Sequence, residues 1–359
     1  MKLGLGLYRE LLTPEHLGFA RQAGVTHIVA HLPGHFTRGE SKIITSDSAA
    51  YGFGISEADD PIWSYEGLSA LKGVVNGEGL ELAALENFAP AHWHDVLLDG
   101  PRRAEQMVRL AQLIRDLGRL RIPTMGYNFS VAGVFGRTEG PFARGGARSV
   151  GFESPPDPPI PAGMVWNMVY DPDRFEPASP RETVGPVTAE AIWDRLRRFL
   201  AELLPVAEGA GVTLAIHPDD PPLPTLRGAA RLITHPDHFQ RVLDLVPSPN
   251  SAIELCVGTV SEMAGGDVYA AVERYARSGR LAYVHLRNVR GKVPRYHEAF
   301  VDDGDTDMLR VVRILHDAGF AGVLIPDHTP LLDCAAPWHA GMAYALGWMK
   351  AAITAAQRG

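Results

Sequence analysis

The chain has 359 residues, 46% hydrophobic and 21% charged, with a formal net charge of −8; this composition supports a large apolar core, and the negative balance argues against nucleic acid, whose phosphates are gripped by clustered Lys and Arg. No apolar run reaches the roughly 18 residues needed to cross a membrane, and the opening MKLGLGLYRELLTPEHL lacks the successive regions of a signal peptide. Two cysteines, Cys256 and Cys334, are too few for a disulfide scaffold, so a soluble, cytoplasmic protein is expected.

In chain order, short aliphatic runs alternate with longer stretches of helical periodicity, the pattern of βαβ units. The expected strands are LGLGL (3–7), THIVAH (26–31), LELAAL (80–85), IPTMGYN (122–128), VTLAIH (212–217), SAIELC (251–256), LAYVHL (281–286) and GVLIPD (322–327). Amphipathic segments such as PRRAEQMVRLAQLIRDLG and TAEAIWDRLRRFLAELLPVAEGAG lie between them, several ending in the Gly that closes a helix. Eight such pairs predict one (β/α)₈ TIM barrel over residues 1–359. An open doubly wound sheet is the rival, but no GxGxxG motif follows any strand.

Residues 129–187 break the alternation. Nine prolines fall between Gly151 and Pro186, so this segment is expected to be irregular. Following the fourth strand, it would lie over the C-terminal mouth. It reads either as a lid carrying Arg137, Arg144 and Arg148 toward an anionic ligand or as an insertion that is mobile or makes oligomer contacts.

Four metal-competent residues end the last four strands: His217, Cys256, His285 and Asp327. A barrel gathers strand C-termini on one face, so these distant residues would meet there. Singly, each His or Cys has an ordinary interior role; jointly, imidazole, thiolate and carboxylate make a divalent-cation site with room for substrate or water. Softness favours zinc or iron and leaves manganese open. Asp219 and Asp220 follow His217 and could orient its imidazole, contact substrate or cap a turn. Arg287 lies on the same side of its strand as His285 and could clamp a carboxylate or pair with a neighbouring loop. His328, beside Asp327, is a candidate general acid or base. His297 and Glu298 are placed near the mouth, whereas Asp305 and Asp307 read as helix caps.

VAEGAGVTLAIHPDDPPLPTLRG, ELCVGT, VHLRN, YHEA, GDTDM and PDH occur in one order. With YNF (127–129), RT (137–138) and RQAGVTHIV, they resemble the mannonate dehydratase family, whose barrel is similar to that of xylose isomerase. The resemblance implies Mn²⁺ or Fe²⁺ at His217, Cys256, His285 and Asp327, and His328 as acid or base. The candidate substrate contacts are Asn128, Asp219, Arg287 and His297. Where that family carries a catalytic tyrosine in a GYSAIG-like segment, this chain reads MAYALG, placing Ala343 there and Tyr344, the second candidate acid or base, one residue later. PDHTP likewise replaces the family's PDHGH.

The expected function is dehydration of a sugar acid, D-mannonate giving 2-keto-3-deoxy-D-gluconate and water. The alternatives are a metal-dependent sugar isomerase or epimerase, or a sugar-binding homologue without activity. A homo-oligomer is compatible with either enzyme reading.

Overall fold

Eight parallel strands close into a barrel in the computed structural model, which describes residues 1–34, 58–153, 157, 159–160, 164–165, 169–170 and 183–358. The strands are β1 (Lys2–Tyr8), β2 (His27–His31), β3 (Glu81–Glu86), β4 (Thr124–Tyr127), β5 (Thr213–Ile216), β6 (Ser251–Cys256), β7 (Leu281–His285) and β8 (Val323–Ile325). They neighbour one another in sequence order, and β8 closes on β1. The eight expected strands are these eight, with ends differing by no more than two residues.

The helices form because one face of each is apolar at helical spacing. In the helix Ala189–Ala210, Ile192, Leu196, Phe199, Leu200 and Leu203 are all buried. Each such side chain contributes about 1.5–3 kcal/mol through burial, so Leu200→Ala would cost about 2–5 kcal/mol including the cavity it leaves. The helix starts where Thr188 Oγ1 accepts the Ala191 N–H at 3.2 Å. It stops at Gly211, whose φ of 68° suits a residue without a Cβ. None of the helices among the described residues is long and apolar enough to cross a membrane.

Inside the barrel the packing is close. A Cβ on Gly126 would collide with the Tyr283 hydroxyl and with Glu254 Oε2, so glycine there makes room for a polar layer beneath the mouth. Register sets the level of that layer. Tyr8 pairs with His31, His31 with Glu86, Cys256 with His285, and His285 with Ile325.

Part of the segment expected to be irregular is regular. Arg137–Gly140 and Ser149–Glu153 form antiparallel strands and continue into the hairpin Asn288–Lys292/Arg295–Ala299, making a four-stranded sheet. Proline density concealed this, because nine of the segment's ten prolines come after Glu153 and only Pro141 lies between the two strands. Both contributing loops leave C-terminal strand ends, β4 and β7, so the sheet caps the mouth.

Candidate metal centre at the barrel mouth

His217, one residue beyond β5, is oriented by main-chain groups. Its N–H donates to Tyr127 O at 2.8 Å, and its Nδ1 donates to Pro218 O at 2.6 Å, leaving Nε2 as the available lone pair. Asn128 Nδ2 donates to the same Pro218 oxygen at 3.1 Å and so steadies that loop. Cys256 ends β6, is fully buried, and its Sγ accepts the Thr259 N–H at 3.4 Å. Burial opposes ionisation of the thiol. The Arg287 guanidinium, then hydrogen bonds from His217 and His285, outweigh it and hold Cys256 well below the usual thiol range.

His285 is gripped from below. Its Nε2 lies 3.1 Å from Glu254 Oε1 and 3.2 Å from Glu86 Oε2, and Tyr283 donates to the same Glu86 oxygen at 3.0 Å. Burial and the Glu86 charge push Glu254 well above the ordinary range. Against its own burial, Glu86 is held at about 2 by His31 and His285. The two adjacent carboxyls are therefore pushed in opposite directions. With Nε2 engaged, Nδ1 faces the mouth, buried without hydrogen-bond alignment and 3.3 Å from Asp327 Oδ2.

Ligand atoms of His217, Cys256 and His285 all lie within 4.8 Å of one another. With the orphaned His285 nitrogen, a thiol held toward thiolate and Asp327 alongside, these donors fit a divalent cation in residue type and spacing. Glu86, Glu254 and His285 form a second such grouping deeper in the barrel. The raised pKa of Glu254 and the engagement of His285 Nε2 favour that grouping as a support for His285 rather than a competitor.

Asp327 follows β8 with φ 59°, a left-handed conformation that Asp tolerates better than most residues. Burial raises its pKa, but His328, His285 and Arg287 hold the carboxyl well below the usual range. His328 Nδ1 lies 2.9 Å from Glu298 Oε1, and its Nε2 lies 3.5 Å from Asp327 Oδ1. Burial disfavours the imidazolium; Asp327 and Glu298 outweigh that and raise the His328 pKa above its ordinary value.

Behind this row runs a buried ionic network. Asp220 accepts from Arg287 Nη2 at 2.6 Å, from Thr259 Oγ1 at 3.2 Å and from the Tyr296 hydroxyl at 3.0 Å, and it also pairs with Arg137. Arg287 donates to Glu262 at 2.6 Å and lies 3.3 Å from Asp327 Oδ2. Its side chain is 2% exposed, so its donors are directed at protein carboxylates. Of the two roles open to Arg287 in the sequence, pairing with its neighbours is the one in the structure. Asp219 is similarly engaged: Oδ2 accepts the N–H groups of Leu232 and Ile233, each at 2.8 Å, and Oδ1 meets Arg231 Nε at 2.9 Å. That is the turn-capping role.

Four expected residues, His297, Tyr344, Arg144 and Arg148, are directed elsewhere. His297 alternates with Tyr296 and Glu298, so it occupies the opposite face of its strand and packs its ring 6.2 Å from Phe142. Tyr344 is 37% exposed; its hydroxyl donates to Asp302 at 2.7 Å and accepts from Arg144 at 3.3 Å. Arg148 pairs with Glu139, so of the three insertion arginines Arg137 alone joins the mouth network. The paired buried acids Glu86 and Glu254, and Tyr8, which lines the mouth beside Asp327 and His328, were not singled out in the sequence. Their one signal was position at or near a strand's C-terminal end.

A family profile described as D-mannonate dehydratase (UxuA) matches residues 12–349. Mannonate dehydratase 2 of Halalkalibacterium halodurans is 29% identical over 277 residues, covering 74% of this chain and 79% of that one. The crystal structure of mannonate dehydratase from Streptococcus suis serotype 2 superposes with a TM-score of 0.76 at 25% identity, covering 100% of this chain and 94% of that one. A xylose isomerase domain protein from Planctomyces limnophilus shares the fold, with a TM-score of 0.61 at 13% identity over 100% of this chain and 99% of that one.

Proposed function

The chain belongs to the D-mannonate dehydratase family, and from that premise we propose that it is a metal-dependent hydro-lyase converting D-mannonate to 2-keto-3-deoxy-D-gluconate and water. The observation that carries the reading is the convergence of His217, Cys256, His285 and Asp327 beside a His328–Glu298 pair. These four residues would hold Mn²⁺ or Fe²⁺. Such a cation, when bound, acidifies C2 by drawing charge from the substrate carboxylate and 2-hydroxyl.

The remaining chemistry belongs to side chains. Elimination passes the C2 proton to a general base, breaks the C3–O bond and leaves an enol, which becomes the 2-keto acid by losing its hydroxyl proton as C3 takes one up. The 3-hydroxyl leaves as water only if a proton reaches it. His328, whose pKa Asp327 and Glu298 raise against the effect of burial, supplies that proton from the mouth. Glu298 orients the imidazole and stabilises its charged form. Arg287 and Asp220 keep the capping sheet and the thiolate in place rather than contacting the sugar acid.

The test is incubation of the manganese-loaded protein with D-mannonate under anaerobic conditions, with the product followed by NMR. Appearance of the 2-keto-3-deoxy acid supports the reading. Interconversion of an aldose and a ketose without loss of water would favour an isomerase, and absence of turnover across a panel of sugar acids would sink both.

A further inference from the structure

At the end of the barrel opposite the candidate metal centre, the strand starts surround a cavity of about 370 Å³. Lys2, Lys72 and Arg121 line it together with His27, against a single carboxylate, Glu81. A chain whose net charge is −8 thus concentrates positive charge in one concave place. Among the described residues, none of these three cations makes an ion pair. Lys72 uses two of its three donors on main-chain oxygens of Leu120 and Arg121, the second at 3.2 Å, and keeps one. His27, 7% exposed, has an Nε2 that makes no hydrogen bond, with Glu81 Oε2 3.3 Å away.

We propose that this cavity binds a phosphate group. The three cations exceed the one carboxylate by two charges, which matches the dianion that a phosphate group approaches at neutral pH. A cleft with apolar walls strengthens the field of the charges at its rim, and here Val29, Ala84 and Val323 supply such walls. Three of the lining positions, Ala83, Ala84 and Ala282, carry only a methyl group. At about 30 Å³ per water, the volume exceeds that of a phosphate ion and admits the carbon chain of a small phosphate ester. Inorganic phosphate and a phosphorylated sugar share the chemistry that the cavity recognises.

The experiment is calorimetric titration of inorganic phosphate and, separately, glycerol 3-phosphate into the full chain. Saturable binding is expected, weakening with salt and falling by at least about tenfold in the double variant Lys2→Gln/Arg121→Asn. Asn suits position 121, where φ is 55°. The single variant Arg121→Asn, at an exposed position, carries the same expectation in direction should the double variant fold poorly. Tighter binding of the ester identifies an organic phosphate as the ligand; equal binding identifies the ion. Cys256→Ser, at the far end of the barrel, should bind phosphate like the parent. Absence of saturable binding, unchanged affinity in both variants, or loss confined to Cys256→Ser would overturn the proposal, whatever the outcome with D-mannonate.

Discussion

Arg287 Nη2 donates to Asp220 Oδ2 at 2.6 Å, with both side chains 2% exposed, and Arg137 from the capping sheet joins the same carboxylate. One acid thus ties the loop after β5 to strand β7's extension and to the insertion. Removing it by Asp220→Ala leaves two guanidinium groups buried without their shared partner. The expected loss is about 3–5 kcal/mol of stability, the range seen when one side of a buried ion pair is deleted. Chemical denaturation of the purified variant measures this. A change below about 1 kcal/mol would mean that the network is solvated in solution.

Arg287→Ala separates positioning from substrate binding. With the guanidinium gone, Glu262 and Asp220 lose a partner and Cys256 loses the charge that most favours its thiolate. Stability and metal content should therefore fall together. A raised KM for an acidic substrate, with melting temperature and metal content both unchanged, would instead make Arg287 a carboxylate anchor.

Cys256→Ser tests the thiolate as a ligand. The hydroxyl nearly matches the thiol in size but is a far poorer donor to a borderline or soft cation, so metal affinity should drop by more than about tenfold while the fold survives. Metal analysis after gel filtration, with circular dichroism as the control, reads both effects. Full occupancy in the variant would remove Cys256 from the ligand set.

Much of this centre was legible in the sequence because barrel strands advertise themselves. VTLAIH, SAIELC, LAYVHL and GVLIPD are short apolar runs whose last residues carry chemistry, and parallel closure brings those ends together. What sequence spacing could not reveal is side-chain direction in loops. His297 and Glu298 are neighbours in YHEA, yet strand alternation turns Glu298 to His328 and His297 to Phe142. The hairpin that imposes this alternation depends on pairing with residues 149–153, about 150 positions earlier, which no local pattern encodes. Asp219 and Asp220 were likewise indistinguishable as letters, and only the fold turns Asp219 to the backbone N–H groups of Leu232 and Ile233 and to Arg231, and Asp220 to Arg137 and Arg287.

Glu298→Gln should move the pH dependence of turnover in a predictable direction. The folded pKa of His328 is raised by Asp327 and Glu298 against the effect of burial. The imidazolium is therefore favoured in the native state. Its contribution to stability is fully present below the unfolded histidine value and is lost as pH rises through the raised folded value. If His328 delivers a proton to the leaving hydroxyl, turnover declines over that same alkaline range. Glutamine keeps the shape of Glu298 but removes its charge, so one of the two groups raising the His328 pKa disappears while Asp327 remains. The alkaline limb of kcat should shift to lower pH, with the acid limb and metal content little changed. An NMR titration of the His328 ring should show the same downward shift. A limb that stays in place while the ring titration moves would show that another group sets the proton supply.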